Sequence, residues 1–339
     1  MIADLRPCPS AATMDRLIVP GFVDLQVNGI DDVDIAHAAG SGWERLDELL
    51  LAQGTTTWLP TLVSSPLERY SAALARIAAA MSRPGSGRPT IAGVHLEGPF
   101  LGGARGAHPE RFVIPVDLDW LAALPAWVRL MTLGPEQPAA AAAIRLLRRR
   151  DVVVSLGHSR ADEAECSAAI EAGASMATHL YNGMGPLHHR QPGIAAVALT
   201  DPNVTVGLIV DGVHVHPRML RLAFAAKAPD RVVVVTDAVA WRSGSVGEIQ
   251  LARDADGAPR LADGTLAGSA VTMDESFRRL IADCGLDVER AVLATSTNAA
   301  RLIGFTDRGA ITVGSRADLV AFDGDLAVKE VWIAGDRAR

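Results

Sequence analysis

The pattern that most restricts this chain's fold is an alternation of short, almost wholly apolar runs with Ala-rich helical stretches. The runs fall at 22–27, 55–62, 91–96, 128–133, 152–156, 175–178, 204–210 and 232–236. Most are near-continuously apolar, in place of an in–out alternation, which is what parallel strands buried on both faces require. Between them, stretches such as 72–80 and 138–147 carry Leu, Ile and Arg at helical spacing. Eight strands, most followed by a helix, predict an α/β chain folded as a TIM-type (β/α)8 barrel. An open doubly wound sheet is the alternative, but no GxGxxG follows an early strand. The length of 339 residues suits one barrel with a small appendage, and the 49% of hydrophobic residues supply its core.

The pattern changes near the C-terminus. After a helical stretch at 287–303 comes GAITVGSRADLVAFDGDLAVKEVWIAG, three short strands separated by Gly and Asp turns. Residues 1–19 could pair with them. The expected division is a reduced β-domain of 1–19 plus 306–339, and a barrel of 20–305. The stretch 244–264 reads as strand and turn inserted after the eighth barrel strand.

Charge and composition exclude several functions. The formal charge of −7 argues against nucleic acid as a partner. No apolar run approaches the roughly 18 to 20 residues of a membrane helix, and the first residues lack the apolar segment of a secretory signal. Three widely spaced cysteines (Cys8, Cys166, Cys284) without a CxxC pair fit reduced thiols in the cytoplasm.

The polar residues collect where the strands end. Asp24, Gln26 and Asn28 mark the end of the first strand, and HLEGPF places Glu97 at the tip of the third. His158 follows the fifth in SLGHS, and His179 follows the sixth in ATHLYNGM. Asp211 and His214 follow the seventh in DGVH, and Asp237 follows the eighth in TDA. Strand tips of a barrel converge on one rim, where the loops build active sites. One Glu and two His from three strands make a metal-binding set with positions open to water or substrate. An Asp on the last strand could act on that water as general base. Each residue alone has an ordinary reading: Asp237 as a helix N-cap, Glu97 as a paired buried carboxylate, His158 as a hydrogen-bonded core or surface His. His95, placed one strand face away from Glu97, reads as structural. His37, His188, His189 and His216 read as solvated. The joint placement of Glu97, His158, His179 and Asp237 is what favours chemistry.

These residues also carry a resemblance. PGFVDLQVNG (20–29), HLEGPF (95–100), GHS (157–159), THLYNGM (178–184), DGVHV (211–215), TDA (236–238) and AGSAVTMD (267–274) appear in order. Together they resemble the N-acetylglucosamine-6-phosphate deacetylases, within the amidohydrolase superfamily of metal-dependent hydrolases. Many amidohydrolases open with HxH on the first strand, which binds a second metal; here the positions read Gln26-Val27-Asn28, and neither amide is a strong ligand for zinc. The resemblance therefore implies one divalent ion per subunit, held by Glu97, His158 and His179 and completed by water. Zinc fits, and iron, cobalt or manganese could substitute.

Asp237 matches the family's catalytic Asp, first base and then acid, in hydrolysis of N-acetylglucosamine 6-phosphate to acetate and glucosamine 6-phosphate. The resemblance also implies substrate contacts. His108, with Ala107 beside it, matches a sugar-binding His. Asn182 and Gly183 match positions whose backbone amides approach the substrate. Arg190 matches a phosphate-binding Arg, His214 a His near sugar and phosphate with Asp211 in the same motif, and Leu266, Ala267 and Gly268 a loop closing over the sugar. Part of the phosphate grip in the family comes from a neighbouring subunit, which implies a homodimer. Family members carry a longer stretch ahead of the PGF motif than the nineteen residues here, so a shortened β-domain is expected. Two other readings remain: an amidohydrolase for another N-acylated substrate such as N-acetylgalactosamine 6-phosphate, and a non-catalytic sugar-phosphate binder.

Overall fold

A computed structural model describes residues 1–5, 16–253 and 257–339. Cys8 lies outside the described residues. Eight parallel strands follow one another: Phe22–Val27, Thr55–Val63, Val94–Glu97, Val128–Leu133, Val153–Leu156, Met176–Ala177, Thr205–Leu208 and Val232–Val234. Each pairs with the next in chain order. A parallel bridge between Val27 and Ala238 joins the last strand's end to the first, so the sheet curls into a barrel. All eight correspond to the apolar runs of the sequence.

The differences lie in strand length, and each has a local cause. The third run splits into Thr90–Ile91 and Val94–Glu97, on either side of Gly93 at φ 142°. The sixth and eighth strands stop early because the chain turns into left-handed backbone just beyond them, at His179 (φ 23°) and Asp237 (φ 50°). The helical stretch expected at 287–303 contains a π-helical turn, Leu293–Thr297, between Val288–Val292 and Asn298–Leu302.

The barrel is filled and wrapped by aliphatic side chains. Leu25, Leu59, Leu130, Ile209, Val233 and Val235 form one buried cluster. A larger cluster packs strands against helices such as Leu67–Met81 and Ala140–Arg148. Leu74 and Ile77 of the first helix, and Ala143, Ile144 and Leu147 of the second, lie at helical spacing on the inner face. Helix Glu163–Ala172 starts with a capping box, Asp162 and Glu165 each bonding the other's backbone N–H.

A separate antiparallel sheet contains Leu17–Pro20, Leu319–Phe322, Val328–Ile333 and Asp336–Arg337. The N-terminal segment thus pairs with the C-terminal strands, Leu17 opposite Phe322 and Pro20 opposite Leu319. Phe322 stacks on Phe277 with centroids 5.4 Å apart and also meets Phe22, tying this sheet to the barrel. Between the eighth strand and helix Met273–Ala282 lie two hairpins, Ser245–Val246 with Ile249–Gln250 and Ala252–Arg253 with Pro259–Arg260. Among the described residues no helix is long and apolar enough to cross a membrane.

Candidate active site

Glu97 ends the third strand, in register with Val63 on one side and Thr132 on the other. His158, His179 and Asp237 come two or three residues beyond the ends of their strands and have positive φ, at 49°, 23° and 50°. That backbone conformation is costly for residues with a Cβ and persists where the surroundings impose it, as at functional sites. All four side chains are buried at the mouth of the barrel.

Three atoms converge there. His158 Nε2 lies 3.1 Å and His179 Nε2 2.9 Å from Glu97 Oε1, and the two Nε2 atoms are 3.0 Å apart. The far nitrogens face carbonyls: His158 Nδ1 is 3.3 Å from Ala104 O and His179 Nδ1 is 3.1 Å from Asn182 O. A carbonyl only accepts, so each Nδ1 carries the hydrogen and, in the neutral rings, each Nε2 presents a lone pair. Two lone pairs and a carboxylate oxygen then point at one spot, a donor set that could hold a cation. Metal bonds of about 2.0–2.2 Å would hold such atoms roughly 3 to 3.5 Å apart, so the donor set and its spacing fit a divalent metal. The titration behaviour agrees. Burial alone would raise the Glu97 carboxyl, but the two imidazoles beside it, His158 and His179, hold it well below its ordinary range. Burial alone would lower His179, but Glu97 holds it up.

His108 also belongs to this neighbourhood; with Glu97 and His158 it offers ligand atoms within 4.8 Å of one another. Its chemistry differs. Ser64 N donates to His108 Nδ1 at 3.3 Å, and Ser64 Oγ is 2.9 Å away. The proton therefore sits on Nε2, which faces Glu97 Oε2 from 4.0 Å. Burial, reinforced by His158, pushes the ring's pKa down to about 3 and keeps it neutral. His108 is placed as a neutral donor into the pocket, and His179 completes the ligand trio.

Asp237 is reached through two amides. Asn28 Nδ2 donates to Asp237 Oδ1 at 2.6 Å, and Gln26 Nε2 donates to the same oxygen at 3.0 Å and to Glu97 Oε1 at 2.9 Å. Thr178 Oγ1 donates to Gln26 Oε1 at 2.8 Å, which fixes the amide's orientation. Burial first, and the charge of Glu97 second, raise the Asp237 carboxyl to about 7; a cation beside Glu97 would pull it down again.

The pocket spans about 200 Å³. Its lining includes Ala107, His108, Asn182, Gly183, His214, Leu266, Ala267 and Gly268, together with Glu97, His158, His179 and Asp237. Two expected substrate contacts are not part of that lining. Asp211 Oδ1 accepts from the Val213 and His214 backbones and Oδ2 lies 2.6 Å from His214 Nδ1, so its oxygens are spent holding the loop and orienting His214. Arg190 is exposed, contacts His189, and lines a neighbouring cavity of about 1110 Å³. His95 is corrected: residues two apart on a strand share a face, so it lies on the Glu97 side, between Thr61 Oγ1 at 3.4 Å and Thr132 Oγ1 at 2.9 Å. It is structural, as expected.

Sequence reasoning missed several groups. Glu136 follows the fourth strand and accepts from Gly103 N, Arg160 N and Ser159 Oγ, clamping the loops on either side of His158. Its position in TLGPE, at a strand tip, was a usable signal. The apolar wall of Val63, Val239, Val246 and Ile249 carried none, because aliphatic residues there read as core.

Residues 17–338 match the model of the amidohydrolase family. The chain is 36% identical over 350 residues to an N-acetylgalactosamine-6-phosphate deacetylase of Escherichia coli O157:H7, covering 100% of this chain and 92% of that one. It is 37% identical over 342 residues to the N-acetylglucosamine-6-phosphate deacetylase of Bos taurus, covering 94% and 83%. Among solved structures, a mutant N-acetyl-D-glucosamine-6-phosphate deacetylase from Mycobacterium smegmatis, in complex with N-acetyl-D-glucosamine-6-phosphate, superimposes with a TM-score of 0.91 at 34% identity, covering 99% of this chain and 92% of that one.

Proposed function

Since the chain belongs to the amidohydrolase family, we propose that it is an N-acetylglucosamine-6-phosphate deacetylase, releasing acetate and glucosamine 6-phosphate. The observation that carries this reading is the meeting of Glu97 Oε1, His158 Nε2 and His179 Nε2 within 2.9–3.1 Å, with Asp237 hydrogen-bonded to the same Gln26 amide as Glu97. Relatives so named, and a relative's structure holding this substrate, support it.

Glu97, His158 and His179 would hold one divalent ion, for which zinc suits the mixed imidazole and carboxylate set. When bound, such an ion acidifies water and polarises a carbonyl. Asp237 takes the proton from the attacking water and returns it to the nitrogen as the C–N bond breaks. Gln26 and Asn28 hold Asp237 Oδ1, leaving its second oxygen for the proton. His108 offers its Nε2–H to a substrate oxygen. Asn182, Gly183 and His214 meet the sugar on the side of the sixth and seventh strands, and Leu266, Ala267 and Gly268 cover it.

Arg190 lies outside its own chain's pocket lining, which suits service to the phosphate bound by a second copy. Exposed Leu187 lines a cleft with Tyr181, His214 and Met219, a surface that suits a homodimer.

Acetate release, measured with the phosphorylated and unphosphorylated forms of both N-acetyl sugars, tests the reading. N-acetylglucosamine 6-phosphate is expected to have the highest kcat/KM. Preference for N-acetylgalactosamine 6-phosphate would favour the activity carried by the E. coli relative's name. Binding without acetate release from the metal-loaded protein would overturn the enzyme reading.

A further inference from the structure

The apolar side of the catalytic pocket has a neighbour. A second cavity of about 290 Å³ lies against it, and Val63 lines both. Leu62, Tyr70 and Ala73 contribute apolar surface to this annex, and the side chains of Glu68, Arg69, Arg76 and Glu248 also line it. The wall between the two spaces is thin. On one side stands Val63, at the tip of the second strand. On the other the inserted hairpin presents Val246 to the catalytic pocket and Gly247 to the annex. A Cβ built on Gly247 would come within 3.3 Å of Val63 Cγ2, so one side chain closes the gap. The hairpin is held in place by Asp34 Oδ2, which accepts from Gly247 N at 2.9 Å, and by an ion pair between Arg69 and Glu248.

We propose that Val63 sets the length of the acyl group this enzyme removes, as the partition between the catalytic pocket and the apolar annex. This rests on the deacetylase reading above. The scissile carbonyl must lie within reach of Glu97, His158, His179 and Asp237. The sugar attaches through the amide nitrogen and meets Asn182, Gly183 and His214. The acyl substituent leaves the carbonyl carbon away from that nitrogen, toward the remaining wall of Val63, Val239, Val246 and Ile249. Val63 pairs in register with Glu97 on the adjacent strand, so its backbone stands about 4.8 Å from that of the carboxylate residue. An acetyl methyl ends against this wall. A longer chain collides with Val63, beyond which lies the annex.

The experiment compares wild type, Val63→Ala, Ala73→Leu and the double variant on N-acetyl-, N-butanoyl- and N-hexanoyl-glucosamine 6-phosphate, measuring carboxylate release. Wild type should strongly prefer acetyl. Val63→Ala should raise the hexanoyl-to-acetyl ratio of kcat/KM by at least about tenfold, the scale on which a pocket discriminates by methylenes. Leu at position 73 fills the annex, so the double variant should return toward the wild-type ratio, while Ala73→Leu alone leaves acetyl turnover unchanged. Val63→Ile adds a methyl group to the partition and should lower the butanoyl-to-acetyl ratio, which keeps the test decisive if the Ala variant fails to fold. An active Val63→Ala enzyme with the wild-type acyl profile overturns the proposal and spares the deacetylase reading. A wild type that releases no carboxylate from any of the three overturns both.

Discussion

Gln26 Nε2 stands 3.0 Å from Asp237 Oδ1 and donates to it, across 211 positions of sequence. The same nitrogen donates to Glu97 Oε1 at 2.9 Å. A neutral amide thus bridges two carboxylates at positions where the wider family can place a His pair. It binds the acids to each other, adds no positive charge, and is itself oriented by Thr178.

The bridge predicts metal content. One tightly bound ion per chain is expected by elemental analysis, and two would contradict the bridging role of Gln26. Gln26→Ala should keep the ion yet lower kcat, because Asp237 loses one of its two amide donors. A loss of roughly tenfold matches one hydrogen bond to a charged group.

Asp237→Asn should separate binding from turnover. Asn keeps the shape but cannot take a proton, so kcat should fall by at least about 100-fold, the lower range of general acid–base catalysis. Metal content should stay at the wild-type level. Near-normal turnover would remove Asp237 from proton transfer.

Arg190→Ala should raise KM for the phosphorylated sugar by roughly tenfold, the worth of one charge-assisted hydrogen bond. Turnover of the unphosphorylated sugar should hardly change. Co-assembling this variant with an Asp237→Asn chain tests service in trans. The surviving activity should show wild-type KM when Arg190 comes from the neighbouring copy, and the raised KM when it acts within its own chain.

Asp24 predicts a pH-dependent stability. Burial pushes its carboxyl up to about 6, despite bonds from Thr236 and the Gln26 backbone. A carboxyl with a raised folded-state pKa contributes stability below its unfolded value of 3.8 and loses it as the pH climbs through 6. Asp24→Asn keeps the contacts, since its amide can donate to Thr236 Oγ1. The difference in unfolding free energy, wild type minus variant, should fall by about 2 kcal/mol between pH 4 and 7. Denaturant titrations measure it; a flat difference would show that Asp24 folds ionised.

Barrel architecture was readable because it is written locally. The run at 128–133 and the strand Val128–Leu133 coincide, since continuous burial on both faces demands continuous apolar residues. The gathering of polar residues at one rim was readable for a related reason: Glu97, His158, His179 and Asp237 end apolar runs at equivalent points. Local pattern does not say which distant partners a residue meets. Arg190 sits beside the pocket's motifs in sequence yet lines another cavity, and Asp211 turns its oxygens onto its own loop. Val63 reads as any core aliphatic until a cavity is seen behind it.

The chain's own order of residues determined the strand count, the helical wrapping and which side chains stand at the rim, because periodicity and strand ends need only near neighbours. Tertiary structure alone decided how those side chains meet. The proton positions on His108, His158 and His179 depend on Ser64, Ala104 and Asn182, and the Gln26 bridge depends on strands 71 and 211 residues away. Hydrogen-bond direction acts over a few ångströms of space, and only the closing of the barrel brings those partners that near.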